Sequence, residues 1–277
     1  MAGANTGAPF LEKQGRSGPA ANALGMYARI LFGASAILFG VVSLIWHDSD
    51  MWQRLLPLHA PFGTIVGWCL VLAQIVGGIA MTLPRTARPA STILGAVYGL
   101  YVLSCVSSII AAPAEPGGYI NCFEQLAIVC GALAVYASSE RDAARAIVLG
   151  RTARLGLGVC AVSFAWAQVV YLQYTASLVP KWIPPNQVFL TNLTTVAFAL
   201  AAVAMLINRQ ARLAMRLLAA MTALFGVLVW LPLIATHPAT LPNWSEISEN
   251  YLIAAAAWLV ADVHSLCESS RLSRFAS

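Results

Sequence analysis

Charge is what this chain has least of. Of its 277 residues only 10% are charged, 16 Lys or Arg against 11 Asp or Glu, while 59% are hydrophobic. A soluble domain carries roughly 25% charged residues, so the polar surface needed to clothe a soluble globule of this size is missing. The apolar residues run along almost the whole sequence, which excludes a large soluble domain beside a small membrane anchor. Recognisable catalytic motifs are lacking too. The sequence has no Walker loop, dinucleotide fingerprint, nucleophile elbow or zinc spacing, and no metal site is expected. None of the six cysteines forms a Cys-x-x-Cys pair. Cys69, Cys105, Cys130 and Cys160 lie in apolar runs and read as small buried hydrophobes. Cys122 alone is expected near an oxidising compartment.

What is present is length in the right units. A helix crosses the hydrocarbon core with about 20 apolar residues at 1.5 Å rise each. Eight segments satisfy this: 27–46, 62–83, 91–112, 119–137, 155–177, 186–207, 213–235 and 244–263. The fold class expected is therefore all-α, with eight transmembrane helices. Residues 1–26 contain no apolar stretch of the roughly 7 to 15 residues that the core of a signal peptide needs. They read as a disordered cytosolic tail.

Cytoplasmic loops accumulate Lys and Arg, and the alternation of the eight segments separates the cations sharply. With the N-terminus inside, Lys13, Arg16, Arg29, Arg85, Arg88, Arg141, Arg145, Arg151, Arg154, Arg209, Arg212, Arg216, Arg271 and Arg274 fall on the cytoplasmic side. Only Arg54 and Lys181 fall outside. Both termini are then cytoplasmic, the membrane reads as a bacterial inner membrane, and the formal charge of +5 faces anionic headgroups. The expected partner is the lipid bilayer, and nucleic acid is not.

A constant shift of 125 residues superposes the two halves of the chain. Ala28 and Arg29 fall on Ala153 and Arg154, Gly33 on Gly158, Phe39 on Phe164, Pro113 and Ala114 on Pro238 and Ala239, and Glu124 on Glu249. Arg, Pro and Glu in register carry the inference, since matching Ala, Leu or Val is cheap in this composition. The expected organisation is a first four-helix repeat over 27–139, a basic cytoplasmic linker over 140–154, a second repeat over 155–268 and a cytosolic tail over 269–277. An even number of spans in each half makes the two four-helix bundle repeats parallel.

With the repeat established, the run ASLVPKWIPPNQVFLTNLTTVAFALAAVAML at 176–206 and the stretch WLPLIATHPATLPNW at 230–244 resemble the DoxX-like membrane proteins, four-helix units that also occur fused in tandem. The first half, from YARILFGASAILFG at Tyr27 to Glu124, follows the pattern more loosely and lacks the Val-Pro-x-Trp-x-Pro run. The resemblance implies a membrane scaffold, in some relatives a subunit of a thiosulfate to quinone oxidoreductase. It specifies no reaction by itself.

Ionisable groups inside a membrane are functional candidates by default, which singles out Glu124 and Glu249. Each is followed by an amide, Gln125 and Asn250, near the outer end of the fourth helix of its half. A quinone needs a hydrogen-bond donor for its carbonyls and a group that passes a proton, so quinone is the candidate cofactor and a redox subunit the candidate partner. The structural alternative makes the acids markers of helix starts, with Asn243 and Glu246 forming a capping box that begins the eighth helix near Trp244. Gln74, Gln168 and Asn192 are further candidates. They would line a cavity for a small or lipid-like molecule in a carrier, or hydrogen-bond between helices in a scaffold. His47, His59 and His237 are expected on the outer side and His264 near the cytoplasmic end, as interfacial residues and not haem ligands.

Overall fold

A computed structural model of the chain describes residues 19–46 and 62–275, with side chains from 25 to 46 and from 65 to 267. Among these residues the structure is helical throughout, and eight helices are long and apolar enough to cross a membrane. The molecule is an all-α, multi-pass membrane protein.

Helix α1 (Pro19–Trp46) is followed by α2 (Phe62–Thr82), α3 (Ala87–Ala111), α4 (Pro116–Ser138) and α5 (Ala143–Val170). A short α6 (Leu172–Leu178) leads to α7 (Gln187–Leu206). The seventh span is built from α8 (Ala211–Phe225), a π turn (Gly226–Trp230) and α9 (Leu231–Thr236), and α10 (Leu241–Phe275) closes the chain. Neighbours in sequence pack on each other from α1 to α5, then α5 on α7, α7 on α8, α8 on α10 and α10 back on α1. Helices α4 and α10 also pack on each other, crossing the middle of this ring.

Local chemistry explains the ends. Pro116 occupies the first turn of α4, where its missing N–H is no loss. Asp142 and Asn186 cap α5 and α7 by accepting hydrogen bonds from Ala144 N and Phe189 N, each at 2.8 Å. Helix α7 stops at a left-handed Asn208 (φ 59°) with Arg209 N returning to Ala204 O at 3.0 Å, a Schellman closure. The Arg154 guanidinium, buried on α5, donates to the neighbouring orphan carbonyl of Met205. The π turn lies just before Pro232, which cannot supply the helical N–H and so perturbs the ladder of the preceding turn.

Several boundaries differ from the expected ones. Helix α1 begins at Pro19, inside the expected tail, and residues 1–18 lie outside the described residues. The expected linker over 140–154 shrinks to a turn, because Asp142 caps a helix that runs on through Arg145, Arg151 and Arg154. Helix α10 starts at Leu241, three residues before the expected start, with Pro242 in its first turn. The capping box is therefore absent, and Asn243 Nδ2 instead donates to Leu233 O of α9 at 3.3 Å. The same helix continues to Phe275, into the expected C-terminal tail.

Close helix approach rests on residues without bulk. At the α1–α2 crossing a Cβ on Gly33 would lie 2.5 Å from Gly78 O, and one on Gly78 would lie 2.7 Å from Gly33 O. At the α4–α10 crossing a Cβ on Gly131 would lie 2.5 Å from the Cβ of Ala256, the residue 125 positions later.

Candidate functional site

The α4–α10 crossing sets the geometry of the candidate site. Pro116 and Leu241, the first residues of the two helices, are also 125 positions apart. Glu124 and Glu249 therefore each stand eight residues into their helix, about 12 Å along the axis at 1.5 Å per residue. Beyond the first turn the helix dipole no longer accounts for an acid.

At this depth Gln125 Nε2 of α4 donates to Glu249 Oε1 of α10 at 2.6 Å. The bond joins two of the residues that the sequence singles out, across the helix crossing. Gln125 is 2% exposed and Glu249 half-buried, so the bond is partly buried. Helices α2 and α3 complete its surroundings. Gln74 of α2, also buried, donates to Ala36 O at 3.3 Å and accepts from the Tyr101 hydroxyl at 3.3 Å. Tyr98, one turn before Tyr101 and packed edge to face against it at 5.8 Å, is completely buried. Its hydroxyl feels the charge of Glu249 at longer range and makes no hydrogen bond of good geometry. Gln125 Oε1 is likewise buried without a partner. The amide of the pair thus keeps one buried acceptor unmatched, and Tyr98 keeps one buried donor unmatched.

The other candidates separate from this cluster. Glu124 is half-buried at the matching depth of α4. Asn250 turns back on its own helix, donating to Glu246 O at 2.9 Å. Gln168 accepts hydrogen bonds from Thr194 and Thr195, each at 2.9 Å, and ties α5 to α7. Asn192 is exposed on α7 and does not line a cavity within the bundle. His47 and His59 lie outside the described residues. His237 is exposed at the end of α9, within 2.9 Å of Thr236 Oγ1. No cluster of metal-ligating residues occurs among the described residues. In the segment joining α6 to α7, Trp182 is 73% exposed.

The cluster is one-sided. Gln74, Tyr98 and Tyr101 correspond, 125 positions on, to Ala199, Ala223 and Gly226. Where Tyr101 brings a hydroxyl, Gly226 opens the π turn and a Cβ there would meet the Tyr251 ring at 2.8 Å. Sequence reasoning missed both tyrosines because it counted them as apolar filler. Their mismatch with Ala223 and Gly226 was the available signal.

Comparison with known proteins found no matching family model, no curated relative and no matching solved structure.

Proposed function

We propose that this protein is a DoxX-like membrane subunit of a quinone-linked redox system, placed in a bacterial inner membrane with both termini in the cytoplasm. The observation that carries the reading is the partly buried Gln125–Glu249 bond together with two buried polar atoms of the same region, Gln125 Oε1 and the Tyr98 hydroxyl, that have no hydrogen-bond partner. The sidedness of the arginines supports the orientation.

The residues fit a quinone head. Tyr98 would offer an O–H to a carbonyl oxygen of the head group, and Gln125 Oε1 would accept a hydrogen bond from it in its reduced form. Quinone supplies two-electron, two-proton chemistry when bound, and the electrons come from a partner subunit. Glu249 serves as the residue that holds a proton and passes it on, while Gln125 Nε2 fixes its carboxyl in place. Gln74 and Tyr101 hold α2 and α3 against this face. The asymmetry assigns the role to Glu249 before Glu124, because the tyrosines stand on one side only.

Two measurements test the reading together. The purified protein should release quinone into an organic extract, detected by mass spectrometry. Membranes carrying Glu249→Gln should lose quinol output by about 10²-fold, the usual worth of a positioned acid or base, with a smaller loss for Glu124→Gln. A quinone-free extract together with unchanged output in Glu249→Gln would sink the proposal.

A further inference from the structure

Helix α10 has a second face. The Gln125–Glu249 pair and the Gly131–Ala256 contact look toward α4. Ala254, Ala255 and Trp258 look away from it, onto a gap between α1 and α8. This gap is an open groove of about 350 Å³ with apolar walls, lined among others by Tyr27, Leu31, Ala220, Ala223, Ala254 and Trp258.

The groove is not a general property of the helix packing. At the positions 125 residues earlier, Ala219, Ala223 and Ala255 become Leu94, Tyr98 and Cys130, all buried. There the space is closed, with Gly156 pressed so near that its Cβ would lie 2.6 Å from the Cys130 sulfur. Small residues in α8 and α10 leave the later half open where the earlier half is filled.

One end of the groove is charged. Arg216 lies over the Trp258 ring, 5.4 Å from its centroid, and reaches Asp262 at 3.6 Å. Asp262 Oδ2 is 3.3 Å from where a Cβ of Gly25 would sit, which places this face of α1, and Arg29 one turn further along it, against the same end. Arg212, exposed on α8, also acts on Asp262. Arg216 and Arg212 thus both act on one carboxylate, with Arg29 on the neighbouring face of α1. Arg29 Nε, Arg216 Nε and Trp258 Nε1 are buried donors without a partner, and so is Asp262 Oδ2 as an acceptor. Arginine matches phosphate geometry well, and basic pockets between spans on the cytoplasmic side bind anionic headgroups.

We infer that this is a binding site for an anionic phospholipid, with one acyl chain lying in the α1–α8–α10 groove and the phosphodiester held at the Arg29, Arg212 and Arg216 end. It does not rest on the redox reading, since it uses the opposite face of α10. The excess of positive charge around Asp262 selects the anionic class, and the alanine floor admits the chain.

The full-length protein, purified in mild detergent and exposed to equimolar phosphatidylglycerol and phosphatidylcholine, provides the test by native mass spectrometry. Wild type should retain phosphatidylglycerol in preference. Arg212→Gln, which removes one positive charge from this end and leaves the Arg216–Asp262 pair intact, should lower that preference about five-fold, the worth of one arginine near a membrane surface. Ala220→Leu should reduce retention of the lipid while leaving the fold intact by circular dichroism. Arg145→Gln, an exposed arginine elsewhere at the same end, should change neither. Equal retention of the two lipids by wild type, a loss in Arg145→Gln as large as in Arg212→Gln, or full displacement by millimolar inorganic phosphate would each overturn the inference.

Discussion

Substituting Gly131 tests the helix crossing on which the candidate site depends. A Cβ there would approach Ala256 Cβ at 2.5 Å, Ala256 Cα at 2.7 Å and Phe32 Cε2 at 2.9 Å. Because one of these atoms is backbone, no side-chain rotation relieves the contact, and α4 and α10 must separate. Overpacking of this kind costs about 1–3 kcal/mol, against a gain of about 1 kcal/mol from replacing glycine in a helix. The Gln125–Glu249 bond lies six residues away, about 9 Å along α4, and its weakening adds part of the roughly 0.5–1.5 kcal/mol that a hydrogen bond contributes. Gly131→Ala should therefore be destabilised by about 1–3 kcal/mol. Gly99, with nothing within 4 Å of its built Cβ, is the control. Gly99→Ala should be neutral or more stable by up to about 1 kcal/mol. Unfolding in mixed micelles, followed by circular dichroism against the SDS mole fraction, compares the two, and Ala256→Gly added to Gly131→Ala should restore part of the loss. The reasoning fails if Gly131→Ala is as stable as Gly99→Ala.

Two further outcomes are expected. Gln74→Leu strands the Tyr101 hydroxyl and removes the extra bond to the helical carbonyl of Ala36, which should cost about 1–3 kcal/mol. Adding Tyr101→Phe should recover much of it in the same unfolding assay, whereas strict additivity of the two losses would show that the bond is not formed. At the turn between α4 and α5, Glu140 pairs with Arg88 at 3.1 Å and accepts from Arg141 N at 2.8 Å. It is covered by these neighbours at the rim of the bundle and not set in its interior. The Arg141 and Asp142 backbone N–H groups, helped by Arg88, hold its carboxyl below the usual glutamate value. A carboxylate with a lowered folded-state value stabilises the fold above its unfolded-state value, and that contribution disappears as pH falls through the folded one. Wild type should then exceed Glu140→Gln in Tm at neutral pH and converge with it below about pH 4. A gap that widens on acidification would contradict the assignment.

The number of spans was legible because hydrophobic length is a one-dimensional property. Its edges were less so wherever charge and helix coincide. Arg145, Arg151 and Arg154 look like loop residues to a hydropathy count, yet Asp142 caps a helix that includes all three, and Arg154 finds a buried carbonyl. Pro242 reads as a breaker but belongs to a first turn, which moved the start of α10. Of the site, the two acids and their neighbouring amides could be read from register alone. What register could not say is that Gln125 meets Glu249 while Asn250 folds back on Glu246, since that depends on the angle at which α4 and α10 cross. The Arg216–Asp262–Trp258 group stayed invisible for a similar reason. Its members are spaced 42 to 46 residues apart between helices and meet only through packing.

The unequal filling of the two sides of the α4–α10 pair bears on why both halves sit in one chain. A dimer assembled from identical four-helix units must write the same letter twice: whatever plugs one recess plugs the other, and whatever is left empty is left empty in both. Here Tyr98 can fill one side with a buried hydroxyl-bearing ring while Ala223 keeps a groove clear on the other. Covalent joining releases each side from copying the other, so that a polar pocket and a greasy slot are held by a single rod of helix without either chemistry constraining its counterpart.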